Sequence, residues 1–127
     1  MWMTSLKEIY KCNKCGNVVE MVSEGAGALV CCGSPMEKLI AKTVDAGSEK
    51  HVPIVEAISS GVKVTVGSVA HPMEEKHYIK FIEVITFAHI LRAELLPGME
   101  PCASFKIARS QIREVRTYCN VHNLWKS

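Results

Sequence analysis

The sequence predicts an all-β protein in two pieces, on three observations. From Val44 onward β-branched residues alternate at period two, as in "VKVTV" at 62–66 and "ASFKI" at 103–107. Turn signals such as "SSG" and "LPGMEP" recur between these stretches at about the 8 to 12 residue spacing of a β-sandwich. The first forty residues instead carry four cysteines around a glycine-rich turn, in a piece too small to bury a useful core. The expected division is therefore 1–40 and 41–127.

Composition narrows the function classes. At 127 residues the chain suits one ordinary domain, or a small one joined to a very small one. A net charge of +2, with Lys and Arg interleaved with Glu, points to neither nucleic acid nor an anionic membrane as partner. No apolar run reaches the ~18 residues of a membrane span, and "MWMTSLKEIYK" lacks the basic-then-apolar order of a signal peptide, so a cytoplasmic setting is expected. In a reducing compartment, six cysteines read as metal ligands or redox groups before disulfides.

In chain order, "YKCNKCGNVVEM" places Cys12 and Cys15 in a Cys-x-x-Cys turn, and "ALVCCGSPMEKL" sets Cys31 beside Cys32. Each pair is followed by glycine, Gly16 and Gly33, which lets backbone amides approach the sulfurs. Between them "NVVEMV" and "GALV" read as two strands of a hairpin closed by "SEGAG", with one thiol pair at each end. Four thiolates accept zinc or iron alike. The vicinal Cys31-Cys32 departs from the second Cys-x-x-Cys of ordinary zinc ribbons.

Further along, "HYIKFIEVITF" from His77 reads as a long strand, with His77 opening it. "SQIREVRTYCNVH" admits a helix capped by Ser110, but Val115, Thr117 and Cys119 alternate well, and a strand is the expectation. His51, His71, His77 and His122 fall at strand edges or turns, and each alone would be an ordinary hydrogen-bonded imidazole. Together they weigh differently. Pro72 and Pro53 stiffen the backbone around His71 and His51, and Cys119-Asn-Val-His122 adds a thiolate and an imidazole three residues apart. Four imidazoles and one thiolate exceed the four ligands of a structural zinc; iron accommodates five and leaves a position for a small ligand.

Together "YKCNKCGNVVE", "LVCCGSPM", "EKHVP", "GSVAHPMEEKHYI" and "YCNVHNLWK" resemble the desulfoferrodoxin family, the two-iron superoxide reductases, over nearly the whole chain. The resemblance implies a desulforedoxin- or rubredoxin-like iron held by Cys12, Cys15, Cys31 and Cys32. It implies a second, square-pyramidal iron held by His51, His71, His77, His122 and Cys119 at the edge of an immunoglobulin-like sandwich. It also implies a homodimer that reduces superoxide to hydrogen peroxide with electrons from a rubredoxin-like donor.

The triplet Glu-Lys-His occurs twice, at 49–51 and 75–77. By the resemblance, Lys50 steers superoxide and Glu49 can occupy the vacant position of ferric iron. Glu75 and Lys76 read as an ordinary exposed pair, and Cys102 and His89 have no place in either site. The competing readings are a zinc-ribbon binding module and a pure electron carrier.

Overall fold

The structure, a computed structural model, describes residues 3–45 and 50–127. The chain divides into two compact units, Met1–Ile40 and Ala41–Ser127. Among the described residues there is no α-helix, hence none long and apolar enough to cross a membrane.

In the first unit β1 (Ile9–Lys11) lies between β2 (Val18–Glu20) and β5 (Glu37–Leu39), both antiparallel to it. A separate two-stranded ladder joins β3 (Val30–Cys31) to β4 (Ser34–Pro35). The expected hairpin between "NVVEMV" and "GALV" does not form: β2 pairs with β1 and β3 with β4. The reason is local. Each cysteine pair makes its own tight reversal, with Cys12 N–H bonded to Asn17 O at 2.9 Å and Gly16 N–H to Cys12 O at 2.8 Å. The glycine-rich segment is instead tied to Thr4, whose amide and hydroxyl both donate to Gly25 O at 3.0 Å. Among the described residues of this unit, only Ile9, Cys12 and Leu39 are buried apolar side chains. At roughly 1.5–3 kcal/mol for each large apolar side chain, that core is too small to order forty residues without help.

The second unit is a sandwich of two antiparallel sheets. One runs β10 (Cys102–Phe105), β7 (Gly61–Val66), β6 (Pro53–Ile58); the other runs β12 (Asn123–Lys126), β11 (Glu114–Cys119), β8 (Ile79–Ile85), β9 (Ile90–Glu94). Alternation in "VKVTV" sends Val62, Val64 and Val66 inward against Ile82, Val84 and Val115. The Ser110 segment is a single 3-10 turn, Arg109–Gln111, and the strand expected after it is β11.

Two features of the four-stranded sheet bear on the site. Between Tyr118 and Cys119 the pairing with β8 slips: Tyr118 faces Phe81, yet Cys119 faces Ile79. The extra residue, Lys80, shifts the phase, so Ile79 and Ile82, three apart, both point into the core. On the other face Glu83 is fully buried and forked by two arginines, Arg92 at 3.0 and 2.8 Å and Arg116 at 3.1 and 2.8 Å.

Candidate metal centres

Within the first unit the sulfurs of Cys12, Cys15, Cys31 and Cys32 all lie within 4.8 Å of one another, and none is in a disulfide. Cys15 Sγ is 3.5 Å from Cys31 Sγ, which is 4.0 Å from Cys32 Sγ. Four sulfurs bonded at about 2.3 Å to one tetrahedral ion stand about 3.7 Å apart. The donor set and its spacing fit a metal.

The vicinal pair has a geometric explanation. Cys31 faces Ser34 across the β3–β4 ladder, leaving Cys32 and Gly33 as a two-residue turn with φ of 53° and 72°. Positive φ at both corners is the type I′ hairpin turn. Cys31 thus ends a strand while Cys32 sits on the corner, and both sulfurs turn toward the same point. Backbone N–H groups of Cys15 and Lys14 aim at Cys12 and bring its thiol down to about 6. Sharing protons with Cys15 and Cys12 pushes the Cys32 thiol up to about 12, and Cys31 also rises. The cluster thus favours negative charge at Cys12 and disfavours it at Cys31 and Cys32, whose protons must leave for an ion to bind. Raising the pH from about 6 to about 8 should tighten binding of cadmium, followed by its thiolate absorption; a flat pH response would contradict this assignment.

In the second unit His51, His71, His77, His122 and Cys119 gather with their donor atoms within 4.8 Å of one another. The imidazoles form a closed ring. Successive centroids are 4.6 Å (His51–His71), 4.9 Å (His71–His77), 5.1 Å (His77–His122) and 4.8 Å (His122–His51), each pair edge to face at 61–87°. Cys119 Sγ is fully buried, 3.8 Å from His122 Nδ1, and accepts the His122 amide at 3.4 Å. Four imidazoles and one thiolate gathered at this spacing fit a single transition-metal ion.

Each donor is placed by its own local device. The Asp45 carboxylate accepts the backbone N–H groups of His51 (2.5 Å) and Val52 (3.0 Å), while the His51 carbonyl accepts Thr117 Oγ1 at 3.1 Å. Gly67, at φ +82°, abuts Lys50; a Cβ there would stand 2.4 Å from Lys50 O. His71 Nδ1 lies 2.7 Å from Pro72 O, so a proton donated along that contact leaves Nε2 as the donor for metal.

His77 does not open a strand, as the sequence led us to expect. Glu74 and His77 exchange two backbone hydrogen bonds, 2.9 and 3.0 Å, around a tight turn tipped by exposed Glu75 and Lys76, and β8 starts two residues later. A two-residue reversal satisfies both amides locally and leaves no ladder partner until Ile79. Asn120 braces this turn: Nδ2 donates to Lys76 O at 3.0 Å and Oδ1 accepts Tyr78 N–H at 2.9 Å.

Lys50 borders the ring through His51, while Glu49 lies outside the described residues. Cys102 and His89 belong to neither cluster. Burial pushes the Cys102 thiol up, and His89 closes a turn on Thr86. Sequence reasoning missed Asp45 altogether, read Thr117 only as a strand residue, and quoted Gly67 at the head of "GSVAHPMEEKHYI" without giving it a part in the site. Asn120 and Trp125 stand inside the quoted "YCNVHNLWK", but no local pattern marks their partners.

Comparison with known proteins bears on both clusters. Residues 4–39 match the family described as desulfoferrodoxin, N-terminal domain, and residues 43–127 the family described as desulfoferrodoxin. A desulfoferrodoxin homolog of Archaeoglobus fulgidus is 52% identical over 125 residues, spanning 98% of this chain and 99% of the relative. A desulfoferrodoxin of Nitratidesulfovibrio vulgaris is 49% identical over 125 residues, 98% of each chain. Among solved structures, the superoxide reductase from Treponema pallidum superposes with a TM-score of 0.76 at 28% identity, covering 94% of this chain and 96% of that one.

Proposed function

The chain belongs to the desulfoferrodoxin family, and from that premise we infer that it is a two-iron superoxide reductase, converting superoxide to hydrogen peroxide with one electron and two protons. The observation that carries this is the closed ring of four imidazoles with a buried cysteine sulfur among them. Bound iron supplies the single electron. Residues 1–40 form the four-cysteine iron domain and 41–127 the superoxide reductase domain. In this reading the ligands are Cys12, Cys15, Cys31 and Cys32 for one iron, and His51, His71, His77, His122 and Cys119 for the other.

The protein's own groups do three things. The amide of His122 donates to Cys119 Sγ, which favours the thiolate over the thiol. Asp45 and Thr117 hold the backbone of His51 from both sides, so its ring enters the site without a conformational search. Lys50, next to His51, draws in the anionic substrate and stabilises the charge that grows as peroxide forms. Glu49 is the carboxylate of the same segment, assigned through the family to the vacant metal position. A rubredoxin-like donor, a homodimer and a cytoplasmic setting complete the reading, with family likeness as their support.

Stopped-flow mixing of the iron-loaded protein with superoxide should show bimolecular consumption yielding peroxide without dioxygen; release of dioxygen from half the superoxide would replace this reading with dismutation. Lys50→Ala should slow the encounter about tenfold at low salt and flatten its dependence on ionic strength. Lys76→Ala, at the exposed turn tip, should change the rate by less than about twofold. Comparable losses for the two would show that the triplets do not differ.

A further inference from the structure

Trp125 stands outside both ligand sets yet touches the second at two points. Its indole stacks on the His51 imidazole with centroids 4.5 Å apart and planes 11° from parallel. Its Nε1–H donates to the His122 carbonyl at 3.0 Å. The same carbonyl accepts Lys42 Nζ at 3.4 Å, and that ammonium lies 5.0 Å from the indole centroid, within cation–π range. The backbone below is fixed as well: Lys42 pairs with Trp125 in a parallel bridge, through Lys42 N–H to Leu124 O and Lys126 N–H to Lys42 O, both 2.9 Å. Only 5% of Trp125 is exposed.

These contacts have a direction. His51 and His122 are neighbours in the imidazole ring, their centroids 4.8 Å apart, and one indole constrains both. The stack limits rotation of the His51 plane, and the N–H bond fixes the turn that carries His122 beside Cys119. A free imidazole loses rotamer freedom when it binds metal; one already held flat against an indole has less to lose. We propose that Trp125, seated by Lys42, is a positioning residue that presets His51 and His122 for the second iron. The proposal rests on the ligand assignment above and reaches beyond it to a residue that binds no metal.

Groups that orient metal ligands from behind typically change affinity about 10- to 100-fold when removed. Trp125→Leu should accordingly release iron from the second centre to a chelator about 10- to 100-fold faster than the unaltered chain, followed by decay of its thiolate-to-iron absorption, with the four-sulfur centre unchanged. Trp125→Phe keeps a stacking face and loses only the donor, so it should recover most of that loss. Equal release rates for the Leu and Phe variants, or an unaltered rate for Leu, would overturn the role of the stack. His51→Ala separates the two levels: if it too keeps iron at the unaltered rate and absorption, the ligand assignment itself is wrong.

A measurement that leaves Trp125 intact guards against misfolding of these variants. In a Trp2→Phe chain, Trp125 is the sole indole. Loading iron should quench its emission, because the ion would sit just beyond the ring stacked on the indole. Emission indifferent to loading would overturn the proposal.

Discussion

Cys119→Ser should abolish superoxide consumption, lowering the bimolecular rate by more than about 100-fold, beyond the range seen when only the groups behind a ligand are lost. The serine is nearly isosteric, so packing around this fully buried position survives. The donor changes from a soft, easily ionised sulfur to a hydroxyl that stays protonated at neutral pH. The His122 amide that donates to Sγ at 3.4 Å then has no anion to stabilise. Thiolate donation, the lever that raises electron density on iron, disappears. Absorption of the four-cysteine centre should persist, because its donors come from the other unit. Retained consumption of superoxide would move catalysis away from this site.

Glu83→Gln should cost about 3–5 kcal/mol of stability, the penalty for breaking a buried pair from one side. Glu83 is fully buried, and its two oxygens are divided between Arg116, itself nearly buried, and Arg92. A neutral amide sets no charge against the guanidinium groups, and the Arg116 side chain is only 7% exposed. The half-exposed pair Lys126–Glu114, at 3.1 Å, provides the contrast: Glu114→Gln should cost less than about 1 kcal/mol. Urea unfolding of both variants in the iron-loaded form checks the difference. Similar midpoints would mean that Glu83 contributes no more than a surface ion pair.

What the sequence disclosed depended on how local the information was. Cysteine and histidine carry their chemistry wherever they stand, and the structure brings the nine named donors into two groups of four and five. The long alternating strands were legible for the same reason: "VKVTV" needs only its own period to show which side faces inward. In the first unit that signal fails. Strands of two or three residues have no period to read, so the partners of β2 and β3 were misassigned, and although β2 falls inside "NVVEMV", only Val30 of "GALV" lies in β3. The His51–Trp125 stack joins residues far apart in the chain, and the grip of Asp45 on His51 depends on two amides that look like any others. The turn at His77 was read as strand because the apolar run begins at Tyr78, two residues after the exposed tip.

The supernumerary Lys80 has a consequence for how this protein can change over evolutionary time. One codon fewer at Lys80 would restore a regular ladder, with Phe81 and Ile79 facing Tyr118 and Cys119 as consecutive residues, and would keep Ile79 on the inner side with the turn bearing His77 behind it. The loss of one residue can thus be absorbed at the bulge, whereas the loss of Glu83 from the regular stretch would turn Ile82 to the opposite face.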